Sequence, residues 1–148
     1  MKQLRITLFS LLITLIGCDK SVPLEINADK VYPIKTTCGK MEFSASTFSR
    51  WITVYQNINS GEFELNLDSL SVSVYPKNTL KIDTIKFYDK NNIILNSKRT
   101  VMSGDIVKIY FFFDKPLYTT NGTLLILPCN YIVCNSNPLI SDTLRINF

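Results

Sequence analysis

Few side chains in this chain are equipped for covalent chemistry, and the most telling type is missing: 148 residues include four cysteines and no histidine. Without histidine, a serine or cysteine nucleophile lacks its usual general base, and most catalytic zinc sites lose their ligands. Serine–lysine chemistry survives that exclusion, but no Ser-x-x-Lys opens a predicted helix. Glu62 and Glu64 project from one side of a strand at a spacing near that of retaining-glycosidase carboxylates. Alternating with Phe63 and Leu65, however, they read as the solvated face of a half-buried strand. Asp105, Asp114 and Asp142 are scattered, with no Asp-x-Asp-x-Asp loop for calcium. The expectation is a protein that is not an enzyme and uses no metal or cofactor. Aromatic residues offer a different capability. Trp51 and Tyr55 share one strand face with Thr53 between them, a pair able to stack on a sugar or grip a protein, unless the single Trp is buried as core. Tyr110 and Phe112 form a similar pair, with Phe111 and Phe113 on the opposite face.

The first eighteen residues carry a second kind of chemistry. Lys2 and Arg5 precede the apolar run Ile6 to Ile16, which ends in Leu15-Ile16-Gly17-Cys18. Eleven apolar-region residues are too few to cross a hydrocarbon core, which needs about twenty, and suit a signal peptide instead. The tetrapeptide resembles the lipobox of bacterial lipoproteins. The resemblance implies cleavage before Cys18, a lipid on its sulfur, a signal peptide over 1–17 and a short tether over 18–23. Each buried methylene contributes about 0.8 kcal/mol, so several acyl chains on one cysteine hold firmly without any spanning helix. The implied location is the bacterial cell envelope, with the outer membrane favoured and the domain periplasmic or surface-exposed.

Cleavage would leave 131 residues, enough for one domain over 24–148 with its own core. It would also remove two of the 16 Lys and Arg, lowering the net charge from +4 to about +2. No basic block remains, so nucleic acid is not an expected partner. With Cys18 assigned to lipid, Cys38, Cys129 and Cys134 permit one disulfide and one leftover thiol. Cys129 and Cys134 are close enough to staple a tight loop. Cys38 bonded to either would close about ninety residues and restrain the unfolded chain more. The local pair is the favoured expectation, with Cys38 as the alternative partner. Three cysteines without histidine do not make a zinc site.

Asp68-Ser69-Leu70, Asp83-Thr84-Ile85 and Asp142-Thr143-Leu144 each resemble the Asp-Ser/Thr-aliphatic acceptor of a general O-glycosylation system that modifies exported proteins in some anaerobic bacteria. The resemblance implies modification at Ser69, Thr84 and Thr143. Equally, Asp-Ser and Asp-Thr sit naturally at strand bends.

The elements that must position these residues are short and β-rich. Phe63, Leu65 and Leu67 alternate with polar residues, as do Leu70, Val72 and Val74, which is a period of two. The phase slips between Leu67 and Leu70, which predicts a bend at Asp68-Ser69. Strands are expected at 24–34, 40–46, 51–56, 62–67, 70–75, 80–88, 93–96, 105–113, 123–127 and 139–148. Asn59-Ser60-Gly61 and Lys90-Asn91-Asn92 serve as turns among them. Ile106 to Phe113 and Leu124 to Leu127 are apolar on both sides and should lie centrally in their sheets. The pattern predicts an all-β, antiparallel β-sandwich of about seven to nine strands. Gly104-Asp105 opening a strong strand and Trp51 on an early one make it similar to immunoglobulin-like domains, though no Cys-Trp-Cys spacing brackets Trp51. The expected function is a non-enzymatic binding or structural module with a protein or glycan partner. The alternatives are an inhibitor or immunity lipoprotein using 128–138 as a wedge, and an accessory subunit of a pilus or glycan-uptake apparatus.

Overall fold

Alternation of apolar and polar residues produces strands throughout the computed structural model, which describes residues 31–119 and 122–147. Cys18, the segment 1–17, the tether 18–23 and the expected strand start at 24–30 lie outside the described residues. The elements are β1 (Tyr32–Thr36), β2 (Gly39–Thr47), β3 (Trp51–Asn66), β4 (Ser73–Tyr75), β5 (Ile82–Tyr88), β6 (Lys98–Met102), β7 (Ile106–Phe113), β8 (Leu124–Pro128), β9 (Ile132–Cys134), β10 (Asn137–Pro138) and β11 (Thr143–Asn147). Three short 3-10 turns, at Leu67–Ser69, Leu117–Thr119 and Cys129–Tyr131, are the helical elements among the described residues. The protein is all-β, with a large curled antiparallel sheet and a second sheet of order β11-β8-β4. The described residues form eleven strands where seven to nine are expected, because β4, β9 and β10 are only two or three residues long. Composition over 43–49 is compatible with a helix, but Phe43 to Thr47 extend β2.

β3 is the spine of the large sheet. Its sixteen residues would span roughly 50 Å if straight, longer than the core of a domain this size, and the strand bends to stay packed. Ile52, Val54, Gln56 and Ile58 point into the core in the first half, whereas Phe63 and Leu65 do so in the second. The phase therefore changes by one residue. A bulge at Asn59 produces the change: Met41 opposes Ile58 and Lys40 opposes Ser60, so Asn59 is skipped. Asn59-Ser60-Gly61, expected as a turn between two strands, instead bends a single one. Gly61 has φ +82, and a Cβ there would meet the Cys38 carbonyl carbon at 2.8 Å and overlap its oxygen, so no other residue fits.

Both neighbours of β3 are interrupted at this bend. On one side, β2 ends at Gly39 opposite Gly61, and β9 takes over at Glu64 and Leu65. On the other, β7 covers Trp51 to Asn57 and β6 covers Glu62 to Asn66. Ser103-Gly104-Asp105 joins β6 to β7 as a tight turn: the Asp105 N–H donates to the Met102 carbonyl at 2.9 Å, and the Met102 N–H donates to Asp105 Oδ2 at 3.0 Å.

The disulfide closes the gap on the β2 side. Cys38 bonds Cys134, 96 residues away, with Cα atoms 5.7 Å apart. This corrects the favoured Cys129–Cys134 pairing. Cys129 sits in the 3-10 turn that turns inward beneath the sheet and is a buried free thiol, while Cys134 ends β9 beside the start of β2. The segment 128–138 does not protrude as a wedge either, since Cys129, Tyr131, Ile132 and Cys134 belong to the core. Its exposed part is 135–138, where Asn135-Ser136, with φ +48 and +65, has the conformation of a two-residue hairpin between β9 and β10.

The small sheet supplies Leu125, Leu127, Leu144 and Ile146 to the same core as Phe43, Ile52, Val54, Ile109 and Phe111. Two hydrogen bonds tie the elements across it. The Tyr32 hydroxyl donates to the Arg145 carbonyl at 3.1 Å, and the buried Tyr131 hydroxyl donates to Gln56 Oε1 at 3.1 Å. As expected, β7 lies between β3 and β5, and β8 between β11 and β4. The bend at Asp68-Ser69 is the 3-10 turn Leu67–Ser69. The Lys90 to Asn92 turn is present, closed by Asp89, but only a single Tyr88–Ile94 bridge follows it.

Candidate functional site

Strand alternation that sends Ile52, Val54 and Gln56 of β3 inward sends Trp51, Thr53 and Tyr55 to the other face. On β7 the inward set is Val107, Ile109, Phe111 and Phe113, leaving Ile106, Lys108, Tyr110 and Phe112 outside. Register then assembles rows across the sheet. Trp51 opposes Phe112, which opposes Thr84; Thr53 opposes Tyr110, which opposes Lys86; Tyr55 opposes Lys108, which opposes Tyr88. All these aromatic side chains are half-buried.

The rings form a continuous row. Phe48, in the turn before β3, stacks on Trp51 with centroids 4.9 Å apart. Trp51 lies 6.1 Å from Phe112, Phe112 stacks 6.2 Å from Tyr110, and Tyr110 meets Tyr88 edge to face at 5.3 Å. Offset-stacked and edge-to-face geometries are the favourable ones for such pairs, so the row is self-supporting. Sequence reading pairs Trp51 with Tyr55 and Tyr110 with Phe112; the structure puts all four on one face and brings Trp51, Phe112 and Tyr110 into ring contact. It missed Phe48 and Tyr88, since their membership depends on register and on a turn, neither of which a period of two reveals.

Cations sit among the rings. Lys86 Nζ lies over the Phe112 ring at 5.6 Å, within cation–π range. Lys108 Nζ donates to the Lys90 carbonyl at 3.3 Å and to Asn92 Oδ1 at 2.8 Å, both neutral acceptors. One ion pair occurs among the described residues, Lys40 with Glu42 at 2.6 Å on the same face. The Lys40 ammonium and then Asn59 hold the Glu42 carboxyl below its ordinary range. Burial, helped by the neighbouring Tyr55 and Tyr88 phenols, pushes Tyr110 up. At the β5 edge, Arg50, Asp83, Thr84, Lys86 and Phe112 surround a depression of about 330 Å³.

The other singled-out residues are dispersed. Glu62 and Glu64 are exposed and line a cleft of about 360 Å³ with Thr100, Asn135 and Ser136, near the Cys38–Cys134 bond. Among the described residues no three Cys, Asp or Glu side chains converge as metal ligands would. Thr84 and Thr143 are exposed, whereas Ser69 is half-buried and its carbonyl accepts a hydrogen bond from Asn130 Nδ2 at 3.0 Å. The Cys129 thiol is pushed up to about 12 by burial, with the Asp142 carboxylate adding to it, and is therefore a poor nucleophile.

Fold and face together define an all-β domain bearing an aromatic, cation-studded sheet surface. Compared with protein-family profiles, curated proteins and solved structures, the chain matches none of them.

Proposed function

We propose that this protein is a lipid-anchored module of the bacterial cell envelope that binds its partner without transforming it, on the outer face of the large sheet. The row Phe48, Trp51, Phe112, Tyr110 and Tyr88 is the observation that carries the reading. A sheet face that only meets water is ordinarily polar, and five half-exposed rings in succession are the composition of a contact surface. On this reading the two sheets are the layers of an immunoglobulin-like sandwich, and lipid on Cys18 presents the domain from the outer membrane to a protein or glycan. A binding module is favoured over an inhibitor because Cys129, Tyr131, Ile132 and Cys134 anchor the wedge candidate 128–138 in the core and leave only the short turn 135–138 exposed. Exposure of Thr143 supports it as an O-glycan acceptor ahead of the half-buried Ser69 and of Thr84, which lies on the binding face opposite Phe112, and intact-protein mass would reveal the sugar.

Two variants test the proposal. Cys18→Ala should move the protein from the membrane fraction to the soluble one. Phe112→Ala should reduce cosedimentation of the full-length protein with isolated cell envelopes about tenfold while the far-UV spectrum is unchanged. Equal cosedimentation of wild type and Phe112→Ala would remove the face from the account.

A further inference from the structure

The outer face has a charge pattern that narrows its ligand, granted the reading of that face as a binding surface. Lys35, Lys40, Lys86 and Lys108 all project on it by strand alternation, and Arg50 flanks its Trp51 end. Against them stand Glu42, already paired with Lys40, and Asp83 at the bulge in β5. Lys86 is held by a ring and Lys108 by neutral oxygens, so both keep an uncompensated charge among the aromatic groups. Ser44, Ser46, Thr84 and the Tyr55, Tyr88 and Tyr110 phenols supply hydroxyls across the same surface.

We propose that this face binds a carboxylated polysaccharide, with the apolar C–H sides of its sugar rings lying on Trp51, Phe112 and Tyr110 and its carboxylates reaching Lys86, Lys108 and Arg50. A row of half-exposed rings suits an extended chain of sugars, because the negative potential of aromatic groups attracts the weakly positive C–H sides of the sugars. Hydroxyl and ammonium groups between the rings satisfy the polar rim that such a chain exposes. Nucleic acid fits less well. Binding to it rests on a continuous track of phosphate contacts, and these scattered cations, one of them already paired with Glu42, form none.

The single tryptophan of the chain, Trp51, lies within this surface and reports on it directly. Detergent-solubilised full-length protein is titrated with polygalacturonate, with the same polymer fully methyl-esterified, and with oligo-dT, following Trp51 emission and heat release. Polygalacturonate should give a saturable change, at least fivefold tighter than the ester, and Lys86→Gln should weaken it three- to fivefold without altering the unfolding midpoint. Equal affinity for the ester overturns the carboxylate assignment but leaves the binding face standing. Tighter binding of oligo-dT, or no response to polygalacturonate in either readout, overturns the proposal. Envelope cosedimentation then decides separately whether the face binds anything.

Discussion

The two sides of β7 are nearly equal in aromatic content and opposite in fate. Phe111 and Phe113 face inward and are at most 3% exposed, while Tyr110 and Phe112, their immediate neighbours, are half-buried on the outer side. Inside, the rings meet Ile52, Ile109 and the leucines of the small sheet. Outside, they meet one another and Lys86. Aromatic content alone therefore does not mark a core. What separates the sides is whether a second layer covers the rings and whether amines are interleaved with them.

Substitutions at adjacent positions should break this symmetry most strongly. Phe111→Ala removes a fully buried ring and should cost about 3–5 kcal/mol in chemical denaturation, whereas Phe112→Ala should cost only about 1 kcal/mol. Similar losses at the two positions would mean the outer face is covered after all. Removing the Cys38–Cys134 bond by paired alanine substitution should cost roughly 2–5 kcal/mol, since it frees a loop of 96 residues in the unfolded chain. Non-reducing peptide mapping of the wild type should recover Cys38 linked to Cys134 and leave Cys129 available to alkylation only after unfolding.

Alkaline pH should act on the inner side more strongly than on the outer, where Tyr110 is also raised. Cys129 is pushed up to about 12 by burial, and Tyr131 is raised well above the ordinary phenol range by burial and then by Cys129. The unfolded chain ionises both near their ordinary values, so at high pH it binds fewer protons than the native state. The stability linked to these groups is complete below about pH 8.5 and falls as pH rises, by roughly 1.4 kcal/mol per pH unit for each group. Denaturation midpoints measured from pH 7 to 11 should decline in this way, and Cys129→Ala should postpone the onset to near pH 10. The smallest stability effect belongs to the outer side: Lys86→Gln should change it by less than about 0.5 kcal/mol.

Period-two patterning made the all-β class, the central places of β7 and β8 and the bend at Asp68-Ser69 legible in the sequence. It misled at Asn59-Ser60-Gly61, where a one-residue change of apolar phase looks the same whether a chain turns back or a strand bulges. The backbone contact of Gly61 with Cys38 decided between them, and that is a long-range fact. Lys98 to Met102 escaped notice because it carries a single buried residue, Val101. The disulfide was misassigned for a related reason: nearness in sequence favoured Cys129, while the end-to-end placement of β9 and β2 on one edge of β3 brings Cys38 to Cys134. The outer face was half legible, as residue pairs on single strands, because pairing register alone joins those strands into a row.

Photo-crosslinking in intact cells tests the central claim most directly. A benzophenone side chain placed at Tyr55, within the outer face, is compared with one at Tyr75, which is 60% exposed on the small sheet. The account predicts a defined adduct from position 55, lost on Phe112→Ala, and none from position 75. An adduct from position 75 alone would contradict it and move the binding surface to the other sheet.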